Sequence, residues 1–359
     1  MNQAARAAAA RLYPGATAAF NARFDQVRAN HGTGSANAQA FGAQVGTAAY
    51  DARAEDLQYL TNSGGTAPNL DDPYAWHPLP GQPANGLLPE WGHVRPLALP
   101  GGWEGTSPYT PDGPEIRNDN LYYKQAIGDI VTKTMTLTDY QKAQATYWAD
   151  GPRSETPPGH WNLIAQVVSR ARGHSLAKDV ELFLTLSTGL MDAGIAAWHC
   201  KYTYGWGRPI TMIRHEYAGT TVRLWDRRPR PGEAWESYVP TPPFPEYTSG
   251  HSTFSGAAAR VLTSVTGTTG TPAALTVTIP RGAHPRQLTG EPMVTDADAV
   301  TRDTTLRWSS YTVMARDAGL SRLLGGIHFT DADVEGRSAG DAAGAAAHSK
   351  VRAHLSGNA

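Results

Sequence analysis

The chain has 359 residues, of which 40% are hydrophobic and 18% are charged, which is enough apolar material for one large domain or two moderate ones. With 31 Lys plus Arg against 32 Asp plus Glu, the formal net charge is −1, which argues against a general nucleic-acid binder and against a polybasic membrane protein. The single cysteine, Cys200, excludes an intrachain disulfide framework and a Cys-rich zinc site.

The first third of the chain predicts short helices followed by a long loop. Three Ala-rich stretches with few helix breakers are expected to be helical, over residues 7–12, 16–30 and 38–60. A segment rich in Pro and Gly then runs from Asn62 to Asn118 and carries Trp76, Trp91 and Trp103. Because a long loop of this kind is typical of a domain boundary, we predict an N-terminal region over residues 1–118.

The rest of the chain, residues 119–359, predicts a C-terminal helix bundle. Helices are expected over residues 121–134, 138–150, 160–172, 176–203, 249–264, 305–324 and 331–353. A stretch rich in Thr, Gly and Val over residues 265–305 leaves room for one short hairpin. The predicted fold class is therefore all-α, built from helix bundles, with a minor hairpin at most.

Targeting signals are weak in this sequence. No apolar run approaches the ~18 residues of a bilayer-spanning helix, and the start MNQAARAAAARLYPG lacks the continuous apolar stretch of a signal peptide. As written, the chain is expected to be soluble and cytoplasmic, with neither a membrane nor a nucleic acid as its partner. An export signal upstream of this sequence would make it a secreted protein.

Three separated segments combine the residue types that bind a tetrahedral oxyanion. The tripeptide Ser249-Gly250-His251 precedes a helical pattern, so its backbone N–H groups are expected at a helix N-terminus, where anions bind. Lys201 and Arg208 lie seven positions apart, about two helical turns, and share a face if the helix extends that far. Arg322 adds a second planar guanidinium that matches the oxygens of such an anion.

Two histidines complete these segments, His251 in the second and His328 in the third. At one anion, two histidines permit two roles, because one can bond to the central atom while the other passes a proton. Each segment alone is a weak signal, since Ser-Gly-His is common and a single Lys or Arg usually lies on a solvated helix face. The prediction of an oxyanion site therefore depends on the three segments taken together.

In this order, Lys201-x6-Arg208-Pro209, Ser249-Gly250-His251 and Ser321-Arg322-x5-His328 resemble the signature of the vanadium-dependent haloperoxidases and the related type-2 phosphatidic acid phosphatases. Further blocks resemble the bacterial haloperoxidase-like branch, over residues 91–96, 147–151, 156–162 and 242–256. The resemblance covers roughly residues 90 to 350, and the first 90 residues match only in helical character.

The resemblance implies a role for each residue. His328 matches the histidine that ligates vanadium or attacks phosphorus, and His251 matches the acid–base histidine. Asp150 matches an acid that pairs with the guanidinium of Arg322. The residues that it implies for binding vanadate or phosphate are Lys201, Arg208, Ser249, Gly250 and Arg322.

The activity that this resemblance implies is that of a haloperoxidase with vanadate as cofactor. It would use hydrogen peroxide to oxidise a halide and halogenate a small organic substrate, and a homodimer is common in the family. The alternative is an acid phosphatase that hydrolyses small phosphoesters through a phosphorylated His328, because a site for five-coordinate geometry accepts either ion. A non-catalytic phosphate binder is disfavoured, since binding alone would not need both histidines.

Several features favour the peroxidase branch. The spacing from His251 to Arg322 is longer than in the small phosphatases, and the flanking blocks agree. Phe244 and Trp198 match aromatic positions near the halide site of chloroperoxidase-like members, although either residue alone also fits core packing. Thr248 departs from the family, which usually has a proline before Ser-Gly-His, and predicts a looser loop with the backbone donors retained.

Overall fold

The computed structural model describes residues 2–32, 34–60, 64–65, 69–100, 120–289 and 298–358. The helices within these ranges are α1 (Asn2–Leu12), α2 (Thr17–His31), α3 (Ala36–Asp51), α4 (Asn120–Met135), α5 (Asp139–Tyr147), α6 (Thr156–Arg172), α7 (Leu176–Tyr204), α8 (Pro209–Glu216), α9 (Gly250–Thr266), α10 (Pro285–Thr289), α11 (Tyr311–Leu324) and α12 (Thr330–Leu355). The strands are β1 (Thr221–Arg223), β2 (Pro229–Pro231), β3 (Thr276–Ile279) and β4 (Thr304–Arg307). The predicted all-α class is confirmed.

The chain divides into two compact units, Met1–Thr61 and Asn62–Ala359. In the first unit, α3 begins at the cap residue Ser35, whose hydroxyl accepts a hydrogen bond from the N–H of Ala38. This helix ends at Asp51, earlier than predicted, and a short 3₁₀ helix follows over Ala54–Tyr59.

The predicted boundary after residue 118 lies outside the described residues, as does Trp103. The described part of the segment rich in Pro and Gly belongs to the second unit, because it is hydrogen-bonded to α7. The buried carboxylate of Asp192 accepts from the backbone N–H groups of residues 97–99 at 2.6 to 2.8 Å. The N–H of Trp76 donates to the carbonyl of Gly205, just after α7, at 2.8 Å. The described part of the segment that was predicted as a boundary loop therefore packs onto the second unit.

Helix α7 is the central element of the second unit and packs against α9 and α12. It begins at the cap residue Ser175 and ends at Gly205, whose φ of 56° suits a residue without Cβ. Contrary to the sequence expectation, α7 is long and apolar enough, by length and composition, to cross a membrane. Within its apolar 18-residue window, however, 67% is buried inside the protein. Burial on this scale identifies it as a core helix.

Two small antiparallel hairpins accompany the helices of the described chain. Strand β3 pairs with β4 so that Thr276 faces Arg307 and Ile279 faces Thr304, which places a hairpin where the sequence allowed one. Residues 305–307 were predicted as the start of a helix, and this was wrong, because they belong to β4. Their side chains alternate between buried and exposed, as strand residues do, and α11 starts only after the cap residue Ser310.

One buried histidine in the second unit makes stability depend on pH. His284 is 1% exposed, and burial, aided by the charges of Arg286 and Lys142, lowers its pKa to about 4. An unfolded histidine titrates near 6.5, so between these values the unfolded chain binds a proton that the folded chain does not. The free energy of unfolding should therefore fall by about 2–3 kcal/mol as pH drops from 7 to 4.

His284→Asn tests this prediction, because its amide oxygen can still accept from the N–H of Arg286, as Nδ1 of His284 does at 3.1 Å. We expect a shallower loss of stability in acid, measured by urea unfolding with tryptophan fluorescence. All ten tryptophans lie beyond residue 75, so the signal reports on the second unit. The exposed His354 on α12 offers the control, His354→Asn, which should keep the original slope. An unchanged slope for His284→Asn would contradict the prediction.

Candidate oxyanion site

The three sequence segments meet at one place in the second unit. The end of α7 and the loop to α8 carry Lys201 and Arg208, while the N-terminus of α9 carries the Ser249 segment. The end of α11 and the loop to α12 carry Arg322 and His328. Nη1 of Arg208 lies 3.0 Å from Nε2 of His328, although the two residues are 120 positions apart. The N–H of Ser249 donates at 2.9 Å to the carbonyl of Ala332, in the first turn of α12.

Lys201 ties α7 to the Pro-rich loop that precedes α9. Its fully buried ammonium donates to the carbonyls of Pro245, Glu246 and Thr248 at 2.9, 3.1 and 2.5 Å. Burial lowers the pKa of Lys201 well below its usual value, and the nearby Arg208 lowers it further. The ammonium is therefore held by carbonyl dipoles without a carboxylate in salt-bridge contact, and a bound anion would stabilise its charge.

Arg208 has one donor nitrogen left without a partner. Its Nε donates to the carbonyl of Phe244 at 2.9 Å, and Nη1 donates to the carbonyl of Ile327 at 2.8 Å. Nη2 is buried and makes no hydrogen bond to any residue that the structure describes. Burial lowers the pKa of Arg208 to about 10. An unsatisfied buried donor on a charged group costs free energy, which an oxyanion would recover.

Arg322 is also fully buried, with weak partners. Its Nη1 and Nη2 reach the carbonyls of Ala149 and Ala145 at 3.4 and 3.3 Å, which are long for hydrogen bonds. Nε donates to the hydroxyl of the adjacent Ser321 at 3.0 Å. Burial lowers the pKa of Arg322 to about 10, while the charge of Asp150 opposes this shift.

Asp150 and Arg322, which were predicted to pair, interact through their charges but make no direct salt bridge. No nitrogen of Arg322 lies within 4.0 Å of the Asp150 carboxylate, which acts on the guanidinium only at longer range. One carboxylate oxygen contacts Nδ1 of His160 at 2.9 Å instead. The other lies 3.7 Å from Nε2 of His251. The physical reason is that His160, on the following helix α6, takes the first oxygen and turns the second toward His251.

Ser249, Gly250 and His251 form the N-terminal turn of α9, as predicted. The Ser249 hydroxyl accepts from the N–H of Ser252 at 3.3 Å, and Gly250, as the first helical residue, has an N–H with no acceptor inside the helix. Nε2 of His251 is buried and has no hydrogen-bond partner within the described part of the chain. Burial, followed by the charge of Arg322, lowers the pKa of His251 well below its usual value, so the ring is neutral at pH 7.

Glu246 is a site residue that sequence reasoning missed. Its Oε1 lies 2.7 Å from Nδ1 of His328 and accepts from the N–H of Phe329 at 2.9 Å. Burial raises the pKa of Glu246 to about 7, against the Phe329 N–H and the cations Arg208 and Lys201, which lower it. Its place three residues before Ser249 was the only signal in the sequence, since its partner lies 82 positions away.

Phe244 and Trp198 form an aromatic wall beside the cations. Their ring centroids are 5.0 Å apart. Nζ of Lys201 and Cζ of Arg208 each lie 5.0 Å from the centroid of Phe244, within cation–π distance. The structure thus brings both predicted aromatic residues to the site, where their rings form an apolar surface next to the charged groups of Lys201 and Arg208.

The electrostatics of the assembled site favour a bound anion. His328 is neutral at pH 7 because burial, and then the charges of Arg208 and Lys201, lower its pKa well below the usual value. Every buried cation of the site is likewise shifted toward neutrality by desolvation. An oxyanion among these groups would reverse the shifts and satisfy the donors left on Arg208 and at the start of α9. The residues present therefore fit a tetrahedral oxyanion such as vanadate or phosphate.

Part of the chain is similar in sequence to known proteins. The model of the second helical-bundle domain of VCPO matches residues 181–357, which include every predicted site residue except Asp150. The vanadium chloroperoxidase of Curvularia inaequalis is 30% identical over 135 residues. That alignment covers 34% of this chain and 22% of the fungal protein, so the chain matches about a fifth of that relative's length.

Solved structures resemble the whole fold. The holo form of a bacterial vanadium-dependent chloroperoxidase superposes with a TM-score of 0.82 at 18% identity, covering 99% of this chain and 82% of that one. An apo-type structure of a bacterial vanadium-dependent chloroperoxidase gives a TM-score of 0.82 at 19% identity and covers 100% of this chain and 84% of that one. A bacterial vanadium-dependent iodoperoxidase gives 0.64 at 25% identity and covers 87% of this chain and 68% of its own.

Proposed function

We propose a function from the premise that this chain belongs to the vanadium haloperoxidase family: it binds vanadate and oxidises halide with hydrogen peroxide, so that small organic substrates are halogenated. One observation carries the proposal. Three buried cations and two neutral histidines converge, and unpartnered buried nitrogens remain on Arg208 and His251. Such a set is costly to bury without an anion in its midst.

The chain's own residues divide the work of binding. Lys201, Arg208 and Arg322 would neutralise the vanadate oxygens, and the start of α9 would supply the Ser249 hydroxyl and the Gly250 N–H. His328 would be the protein ligand of vanadium through Nε2, since its Nδ1 is bonded to Glu246. When bound, vanadate supplies the Lewis acidity that makes hydrogen peroxide reactive toward halide.

His251 is suited to move a proton in this reaction. Its ring is neutral at pH 7 and its Nε2 is free of hydrogen bonds, so it can accept a proton from hydrogen peroxide that enters the site. The Asp150 oxygen 3.7 Å away would then stabilise the protonated ring. The wall of Phe244 and Trp198 offers a weakly hydrated halide an apolar surface beside the Lys201 charge.

An acid phosphatase is the second candidate, because the geometry of His328 also suits a nucleophile. A neutral imidazole with Nδ1 held by a carboxylate presents Nε2 as a nucleophile, and the surrounding cations would stabilise a five-coordinate phosphoryl group. His251 would then protonate the leaving alcohol of a small phosphoester.

A paired assay on purified, chelator-treated protein separates the two functions. One arm adds orthovanadate, hydrogen peroxide and bromide or chloride and follows halogenation of a reporter dye. The other arm omits vanadate and follows hydrolysis of a chromogenic phosphoester. We expect vanadate-dependent halogenation, with phosphoester hydrolysis slow by comparison.

The opposite pattern would contradict the proposal. Brisk phosphoester hydrolysis that vanadate inhibits, with no halogenation under any halide, would assign the chain to the phosphatase alternative. Absence of both activities in a protein that still binds phosphate would reduce the site to a binding pocket.

A further inference from the structure

We propose that Glu246 is a positioning residue that holds the ring of His328 with its proton on Nδ1 and its Nε2 lone pair directed at the bound oxyanion. The inference rests on the proposed function for the identity of that oxyanion, vanadate. The orientation of the ring does not depend on it, because the contacts that define it lie within the chain itself.

The contact between Glu246 and His328 is short and buried from solvent. Glu246 is 1% exposed and His328 is 2% exposed, and their nearest atoms are 2.7 Å apart. The same carboxylate oxygen accepts from the N–H of Phe329 at 2.9 Å. One oxygen therefore holds both the ring of His328 and the backbone that follows it, immediately before α12 begins.

Glu246 is itself held from two sides. Its N–H donates to the carbonyl of Trp206 at 2.8 Å, and its own carbonyl accepts from the ammonium of Lys201 at 3.1 Å. Trp206 lies in the loop that leads from α7 to Arg208. Glu246 thus links the position of His328 to the elements that carry two of the cations of the site.

The opposite edge of the ring specifies the same tautomer. Nη1 of Arg208 lies 3.0 Å from Nε2, and a guanidinium has only donors, so Nε2 must present a lone pair and Nδ1 must carry the proton. A bound oxyanion occupies that lone pair, and the bond from Arg208 to Nε2 is then lost. The hydrogen bond to Glu246 is the contact that remains, and it keeps the ring from turning or exchanging tautomers.

Two variants separate this role from a merely structural one. In Glu246→Gln the amide oxygen can accept both hydrogen bonds, while the charge is lost. In Glu246→Ala both hydrogen bonds are lost, and the Arg208 contact at Nε2 alone still favours the Nδ1–H tautomer of His328. Glu233→Ala is the matched control, because Glu233 also accepts a backbone N–H, that of Gly219, but at an exposed position outside the three site segments.

The primary readout is the tautomer of His328 in the vanadate-free protein, measured by 15N NMR of labelled histidines and assigned with His328→Asn. We expect the Nδ1–H tautomer in the unmodified protein and in Glu246→Gln, and a mixture in Glu246→Ala in which the Nε2–H form is the minor one. The second readout is orthovanadate affinity by calorimetry, which should weaken about 10- to 100-fold in Glu246→Ala and less in Glu246→Gln.

An Nε2–H tautomer in the unmodified protein, or an unchanged spectrum and affinity in Glu246→Ala, would overturn the inference. If Glu246→Ala does not fold, the unmodified protein and Glu246→Gln still decide the question, since loss of the Nδ1–H signal in either contradicts it. A protein that binds no vanadate would refute the proposed function instead. The NMR measurement on the vanadate-free protein would still stand in that case.

Discussion

Gly340→Ala should destabilise the second unit by about 2–3 kcal/mol, although alanine is the better helix former by ~1 kcal/mol. A Cβ at Gly340 would overlap the carbonyl oxygen of Thr253 and lie 2.9 Å from the backbone nitrogen of Ala257. Both of these atoms belong to the backbone of α9, so no side-chain rotation can relieve the contact. Helices α9 and α12 would have to move apart.

The same interface positions the oxyanion site. Gly344 of α12 approaches the carbonyl of Ala257 in the same way, and Gly256 of α9 approaches the carbonyl of Arg337. Helix α9 begins with the Ser249 segment, and α12 begins two residues after His328. Separation of the two helices therefore draws the backbone donors away from His328, and we expect oxyanion affinity to fall together with stability.

Urea unfolding followed by tryptophan fluorescence measures the first effect. The control is Gly128→Ala on α4, where a Cβ meets only the Tyr217 hydroxyl, at an ordinary 3.6 Å. That variant should be neutral or more stable by up to about 1 kcal/mol. Equal free energies of unfolding for Gly340→Ala and Gly128→Ala would refute the close-packing account of this interface.

His328→Ala is expected to reduce vanadate-dependent halogenation by at least about a thousandfold, because it removes the only protein ligand proposed for vanadium. The Lys and Arg residues of the site remain, so some electrostatic attraction for the oxyanion should persist. The phosphatase activity of the alternative function would be lost as well, since its nucleophile is the same nitrogen.

His251→Ala is the informative comparison for this prediction. It removes the group proposed to move protons but no ligand, so turnover should fall while orthovanadate affinity changes much less than in His328→Ala. Titration calorimetry and the dye assay measure the two quantities separately. Circular dichroism checks that each variant is folded. Full activity in folded His328→Ala would eliminate the proposed role of this histidine.

Local signals in the sequence predicted most of the helices. The cap residue Ser249 begins α9 in the structure as it does in the sequence prediction, because a cap acts within a few residues of itself. Glycine in the left-handed region ends α7 for the same reason. Local signals did not predict strand β4, because its partner strand β3 lies about thirty positions earlier and strand pairing overrode local propensity.

The site residues could be predicted from the sequence, because their residue types and their order along the chain indicate the chemistry of the site. Lys201, Arg208, Arg322 and the two histidines are brought together in the structure, as their segments predicted. Their contacts were less predictable. Asp150 was expected to pair with Arg322 and instead lies between His160 and His251, a choice made by the position of α6.

By itself, the sequence determined the helical class and the inventory of cations and histidines, since both depend on residue type and short-range spacing. Only the tertiary structure decided that Glu246 contacts His328 and that α9 and α12 pack closely at glycines. It also decided that residues 97–99, which are hydrogen-bonded to Asp192, belong to the second unit. Each of these depends on which distant surfaces meet. That outcome is set by side-chain volume and the burial of polar groups over the whole unit, which no local pattern encodes.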